Sequence, residues 1–303
     1  MHIKIGTRAS KLALWQAHHV QEQLNAHQIS SDIVEIITKG DKILDRSLSK
    51  IGSKGLFTEE LEEQLLNGSI DIAVHSAKDL SSDLGEHFEI LAFSEREAPH
   101  DVLLSSTDRD LSQAWVVGTS STRRVALIKT FYPHFTIVDM RGNLQTRIKK
   151  MEDGHCDILV LAYAGVHRMG YENKIIKNLS IDDFCPPVGQ GVLAIEINKK
   201  LNTEKKNGLR TILNDPKTEQ CLLVERSYLH FLQGGCSIPV FGNALWHENS
   251  IHFTAGIVRL DGSELIKATF VLENETEEEL GRRAAKYILN AGGDKILEEI
   301  KRK

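Results

Sequence analysis

Along the first two hundred residues, short apolar alternations repeatedly give way to apolar positions three and four apart. That is the pattern of strands feeding helices, and it predicts α/β architecture with largely parallel strands. Residues 2–6 read as a strand that breaks at Thr7-Arg8-Ala9-Ser10, after which Leu12, Leu14, Trp15, Val20 and Leu24 recur at helical spacing. Residues 33–38, 71–75 and 88–93 read as strands, and 58–66 as an acidic helix with Leu61, Leu65 and Leu66 on one side. A second set follows, with strands at 115–118, 136–140 and 157–162 and helices at 122–131 and 144–151. Each set has a strand ending in Gly-Thr before a Ser-containing turn (Gly6-Thr7 and Gly118-Thr119), which suggests two domains of like architecture. Residues 192–197, after Pro-Pro-Val-Gly-Gln-Gly, are placed to return the chain to the first sheet.

The last third changes character. A helix at 219–232 ends at Gly234-Gly235, and strands follow at 240–246, 251–259 and 264–272, the last two joined through the hairpin signal Asp261-Gly262. A helix with Leu280, Ala284, Tyr287 and Ile288 in register closes an α+β unit. The expected division is 1–95 plus 191–212, then 96–190, then 213–303.

Composition narrows the class. In 303 residues, 41% hydrophobic and 26% charged, the balance is that of a folded globular chain. The net charge of −5 argues against a nucleic-acid-coating protein, and the low aromatic content argues against one stacking bases on its Arg turns. The longest nearly pure apolar run, 158–166, is far short of the roughly 20 residues that span a bilayer, and the N-terminus has no signal-peptide block. Cys156, Cys185, Cys221 and Cys236 show no CxxC and no metal-ligand spacing. These features predict a reduced, soluble, cytoplasmic chain without a metal.

Candidate chemistry lies in cations placed at turns: Arg8, Lys50, Lys54, Lys78, Arg123, Arg124, Arg141, Arg147 and Arg168. Most follow a predicted strand or sit in a Gly-rich turn, where open α/β sheets place ligand sites. Arg forks hold carboxylates or phosphates bidentately, whereas Lys acts as a point charge. The best local case is Gly118-Thr119-Ser120-Ser121-Thr122-Arg123-Arg124, a strand turning into a helix N-terminus. Capping alone explains one serine, not the hydroxyl run with Arg-Arg. Gly52-Ser53-Lys54-Gly55 lacks the P-loop spacing. In His75-Ser76-Ala77-Lys78-Asp79, the carboxylate is either a salt-bridge partner or an acid/base in a shielded cleft. Cys236, preceded by two glycines, suits an attachment site or nucleophile, whereas Cys156 and Cys221 read as buried fillers.

These stretches together resemble the porphobilinogen deaminase (hydroxymethylbilane synthase) family from end to end. The likeness runs through Thr7-Arg8-Ala9-Ser10, Leu12 to Ala17, Thr38-Lys39-Gly40-Asp41, Lys54-Gly55-Leu56-Phe57 and Asp71 to Asp79. It continues through Gly118 to Ser121 with Arg123-Arg124, Arg141-Gly142-Asn143, Gly189-Gln190-Gly191 and Gly234-Gly235-Cys236. The resemblance implies three domains, two like type II solute-binding proteins and a smaller α+β domain carrying the cysteine. It implies a monomeric transferase of tetrapyrrole (haem) biosynthesis that joins four porphobilinogens into linear hydroxymethylbilane with release of ammonia. A dipyrromethane cofactor bonded to Cys236 would prime the chain, and Asp79 would be the catalytic aspartate, stabilising the cationic carbon and shuttling the proton.

By the same resemblance, Lys78, Ser120, Ser121, Arg123, Arg124, Arg147 and Gln190 would hold the cofactor. Arg8, Ser10, Lys50, Lys54, Phe57, Arg141, Arg168 and Gly191 would hold substrate, with Gln190 and Gly191 near a hinge. Phe57 either stacks on a pyrrole or starts a helix as a core aromatic. Leu80-Ser81 and Thr122 depart from the family pattern. The competing reading is a non-catalytic anion-binding protein of the same two-lobed architecture.

Overall fold

The chain is described by a computed structural model over residues 1–38, 58–233 and 238–301. Lys50, Lys54, Phe57 and Cys236 lie outside the described residues. The chain divides into two compact units, Met1–Glu97 with Val192–Gln220, and Ala98–Gly191 with the segment from Cys221 onward.

Unit 1 is built on a five-stranded sheet. Strands β1 (His2–Arg8), β2 (Ser30–Ile36) and β3 (Ile72–Ser76) are parallel, and β10 (Leu193–Asn198) runs antiparallel between β3 and β4 (Phe88–Phe93), giving the order β2-β1-β3-β10-β4. Parallel strands must be covered on both faces. Helices α1 (Lys11–Ala26) and α6 (Thr203–Leu213) bury Ala17, Val20, Leu24, Leu209 and Leu213 against Ile3, Ile5 and Val74. Helix α2 (Glu59–Leu66) buries Leu61 and Leu65 with Ile70, Ala73 and Phe88. Each such fully buried Leu is worth about 1.5–3 kcal/mol. The buried stripe of α1 is Ala13, Gln16, Ala17, Val20 and Leu24, so the helix is rotated from the expected Leu12, Leu14, Trp15 face. Trp15 instead stacks on His19, with ring centroids 5.3 Å apart.

Unit 2 repeats the pattern. Strands β6 (Val116–Gly118), β7 (Thr136–Val138) and β8 (Ile158–Ala162) are parallel, and β5 (Asp101–Leu104) is antiparallel between β8 and β9 (Ile175–Asn178), in the order β7-β6-β8-β5-β9. Helix α3 (Thr122–Phe131) covers one face with Ala126, Leu127 and Ile128. Helix α4 (Leu144–Glu152) contributes Ile148 and Met151 to a second cluster, in which Val166 of α5 (Tyr163–Arg168) also packs.

The third sheet is an antiparallel meander of β11 (Val240–His247), β12 (Ser250–Val258) and β13 (Leu265–Val271). The signal at Asp261-Gly262 does join β12 to β13, through a loop closed by Arg259 N–H donating to the Glu264 carbonyl at 2.8 Å. Helix α7 (Pro216–Phe231) carries buried Tyr228, whose hydroxyl donates to the Gly256 carbonyl at 2.9 Å. Helix α8 (Glu277–Ile288) opens with a capping box of Thr276 and Glu279, and α9 (Asp294–Lys301) follows. Tyr287, expected on the core side of α8, is 53% exposed, and Ala285 is buried in its place. Phe241 and Val258 complete the α3-side core of the second sheet, which is why the second and third sheets share one unit. The chain leaves unit 1 inside α7, between Gln220 and Cys221, where the sequence pattern suggested a boundary near residue 213.

Candidate functional site

In both units, turns at the carboxyl ends of parallel strands carry candidate residues. In unit 1, β1 and β3 are neighbours in register Gly6↔Ala73, so the turns that follow them emerge side by side. The first presents Arg8 and then Ser10, whose hydroxyl accepts the Ala13 N–H at 3.4 Å as the cap of α1. The second is a 3₁₀ turn, Ala77–Asp79. Gln16 ties the two together by donating to the Ser76 hydroxyl at 2.8 Å. Asp79 is exposed, because it ends that turn facing outward, so among the described residues of this unit nothing supplies the expected shielding.

In unit 2, three such turns lie side by side after β6, β7 and β8. Gly118 is required where β6 ends, since a Cβ there would meet the Cys156 sulfur at 2.9 Å and Met140 Cβ at 3.1 Å. Ser121 caps α3 through the Arg124 N–H, and the Ser120 hydroxyl accepts the Met140 N–H at 3.1 Å, joining this turn to the next. The next turn holds Arg141, Gly142 and Asn143. Gly142 has φ +118, which disfavours any side chain, and Asn143 caps α4. Arg147, in the first two turns of α4, folds back so that Nε donates to the Gly142 carbonyl at 2.7 Å. Arg141 Nη1 is buried with no hydrogen-bond partner among the described residues. A buried, unpaired guanidinium N–H is costly, and an incoming carboxylate satisfies it, so this edge fits an acid-bearing ligand such as a dipyrromethane.

The paired arginines differ from expectation. They are not open forks: Arg123 and Arg124 are 4% and 6% exposed, and both close on Asp101, which is fully buried on β5. Arg123 Nη2 donates to Asp101 Oδ2 at 2.6 Å, Arg124 Nη2 to Oδ1 at 2.7 Å and Arg124 Nε to Oδ2 at 3.2 Å. Arg123 Nη1 also reaches the Cys185 carbonyl at 2.9 Å, and Arg124 Nη1 the Val160 carbonyl at 3.1 Å. Buried guanidinium groups require a counter-charge, and Asp101 is the one the fold provides. Burial alone would raise the Asp101 carboxyl, but Arg123 and Arg124 overcome it and hold the group well below the usual carboxylate range. Burial, with Arg124 alongside, pushes Arg123 down, yet an arginine stays charged.

Gln190 was expected at a ligand. Its side chain is 1% exposed and donates to Asp101 Oδ1 at 2.9 Å and to the Pro99 carbonyl at 2.6 Å. Gly191 offers its carbonyl to Arg168 Nη2 at 2.8 Å, and the Gly189 N–H donates to Glu225 Oε2 at 2.7 Å. The turn at 189–191 is therefore pinned inside unit 2 from three sides. Asp101 and Glu225 were missed because a lone acid in an apolar stretch carries no sequence signal of its partner. Cys156, Cys185 and Cys221 are buried, and desolvation pushes the thiols of Cys156 and Cys185 up to about 11 and about 12, so they are inert fillers.

The fold and these edges define an α/β protein whose strand-end turns carry arginines and hydroxyls. Residues 3–206 match the family model for the porphobilinogen deaminase dipyrromethane cofactor-binding domain, and residues 219–290 match that for the porphobilinogen deaminase C-terminal domain. The chain is 52% identical to porphobilinogen deaminase of Cytophaga hutchinsonii, over 99% of this chain and 97% of that one. It is 46% identical to that of Desulfosudis oleivorans, over 100% and 99%. Among solved structures, the second substrate-binding domain of a putative amino acid ABC transporter from Streptococcus pneumoniae aligns with TM-score 0.44 and 11% identity, over 70% of this chain and 91% of that chain. The chain belongs to the porphobilinogen deaminase family. Among the described residues, no helix is long and apolar enough to cross a membrane.

Proposed function

We propose that this chain is a transferase that joins four porphobilinogen molecules head to tail into linear hydroxymethylbilane, releasing ammonia at each step, as a cytoplasmic monomer. A dipyrromethane held through a thioether to Cys236 supplies, when bound, the nucleophilic pyrrole carbon. Each porphobilinogen brings an acetate and a propionate, so lengthening the chain accumulates carboxylates. Ser120, Ser121, Arg141 and Arg147, at adjoining turns, hold carboxylates of this kind. Arg123 and Arg124 contribute the N–H groups that Asp101 and the carbonyls leave over: two of five are used on Arg123 and three of five on Arg124. Two guanidinium groups against one carboxylate leave a surplus of one positive charge for the ligand. Arg8, Ser10 and Lys78 do the same work at the edge of unit 1; Lys50, Lys54, Phe57, Arg168 and Gly191 complete the proposed substrate set.

Asp79 accepts the pyrrole N–H of the reacting ring. The aminomethyl nitrogen, protonated as an ammonium, leaves as ammonia with the C–N electron pair, and the carboxylate stabilises the cationic carbon left behind. Asp79 would take the proton that the attacking pyrrole carbon gives up on bond formation.

The observation that carries this reading is the buried, unpartnered Arg141 Nη1 beside a hydroxyl-lined turn in a chain of this family. Intact-protein mass spectrometry with a porphobilinogen turnover assay tests it. The expected result is an adduct of two deaminated pyrrole units on Cys236, with ammonia released in step with substrate consumed. An unmodified thiol and no turnover would leave the non-catalytic anion binder instead.

A further inference from the structure

We infer that Asp101 is a positioning residue for ligand binding at the turn 118–124; the inference deepens, and rests on, the reading of that turn as a carboxylate holder. Asp101 is the first residue of β5 and lies outside the turn. Its two oxygens accept four hydrogen bonds, from Arg123 Nη2, Arg124 Nε, Arg124 Nη2 and Gln190 Nε2. A carboxylate offers about four lone-pair sites, so Asp101 is saturated and has none left for a ligand or a proton. Its work is done through the arginines.

Each fork is fixed at two points. Arg123 is held by Asp101 and the Cys185 carbonyl, Arg124 by Asp101 and the Val160 carbonyl. A planar guanidinium pinned at two of its corners keeps no rotational freedom, so its remaining N–H groups hold one direction before any ligand arrives. The same carboxylate ties the turn to both segments at which the chain enters and leaves this part of unit 2. Gln190, bonded to Asp101, also bonds the Pro99 carbonyl. Asp101 thus sets the aim of the forks and lowers their combined charge from two to one. A ligand carboxylate then meets a pre-aimed, singly positive site.

A purely structural ion pair would stabilise the fold without altering affinity, and the two roles separate experimentally. Full-length Asp101→Asn and Asp101→Glu are purified and compared with wild type by intact mass, for the share of chains carrying the dipyrromethane, and by kcat and KM for porphobilinogen. In the folded Asp101→Asn protein, the loaded share is expected to fall at least about fivefold. In its loaded fraction, KM should rise about tenfold while kcat changes less, and Asp101→Glu should recover part of both. Loading and KM within twofold of wild type in folded Asp101→Asn would overturn the inference. Should Asp101→Asn not fold, Gln190→Leu decides: it removes one of the four bonds without exposing a charge, and a KM rise of about threefold supports the inference while no change overturns it. Ser120→Ala and Arg141→Gln keep the two readings apart. If they impair loading and the Asp101 variants do not, only the positioning role fails; if neither set impairs it, the turn is no carboxylate site.

Discussion

The two α/β sheets share a strand order, and each places one fully buried carboxylate on the antiparallel strand that follows a passage between units: Glu196 on β10 and Asp101 on β5. They are answered differently. Asp101 accepts four hydrogen bonds from two arginines and a glutamine. Glu196 has His75 Nε2 at 3.0 Å, close enough for Coulomb attraction but not aligned as a hydrogen bond, and neither of its oxygens has a hydrogen-bond partner among the described residues. The guanidinium groups are fixed by directional bonds, whereas the imidazole lies close without one. Unit 2 therefore buries two guanidinium groups against one carboxylate beside its hydroxyl-bearing turns, and unit 1 buries a histidine–carboxylate contact that starts on the strand leading to the exposed Asp79. One topology thus answers its buried carboxylate with directional bonds from two arginines in one unit and with a single unaligned contact in the other.

That contrast can be broken at graded points. Asp79→Asn tests the exposed acid of unit 1. Turnover is expected to fall by about 10²–10⁴-fold, with the cofactor still attached and stability within about 0.5 kcal/mol, measured by steady-state rates and thermal melting. Near-normal rates would remove Asp79 from the chemistry. Asp101→Asn strands two buried guanidinium groups, and urea unfolding should show a loss of about 3–5 kcal/mol. Glu196→Gln should cost only about 1–3 kcal/mol, because no directional bond is lost. An equal cost for these two would erase the distinction drawn between the sheets.

The smallest effect is in pH dependence, where the units have opposite signs. Asp101 has a folded-state pKa below its unfolded value of about 3.9, so its stabilisation is complete above that pH and is lost as pH falls below it. Glu62 on α2 is raised by burial, with Glu196 adding to the shift while Thr58 and His75 oppose it. A raised carboxyl costs stability as pH climbs through and beyond its unfolded value of about 4.3. Glu62→Gln should therefore gain up to ~0.5 kcal/mol at pH 7 and nothing near pH 4; a gain that grows towards acid would reverse the assignment.

Much of this was legible in the chain. The strands of the parallel core, α3 and α4 and the C-terminal meander follow from periodicity and turn signals. The short pieces did not. β5 offers only Asp-Val-Leu-Leu, and β9 only Ile-Ile-Lys-Asn. Strands of four residues have too few alternations to show a period, and their pairing with distant strands decides them. The helix α5 continues the apolar run of β8 without a break, so no local cue separates the two. The candidate cations were visible because they follow Gly- and Ser-containing turns. That Arg123, Arg124 and Gln190 share a single acid 22 or more residues away in sequence was not visible.

The order of residues by itself determined the longer strands and helices, that strand ends carry the cations and hydroxyls, and which family the motifs resemble, because each of these depends on neighbours a few positions apart; the short strands β5 and β9 and the break between β8 and α5 it left open. Tertiary structure alone decided which charges are spent inside the protein and which remain for a ligand. Pairing a buried charge is a matter of distance in space. The carboxylate that half-neutralises Arg123 and Arg124 comes from a strand whose place beside β8 only the folded sheet establishes.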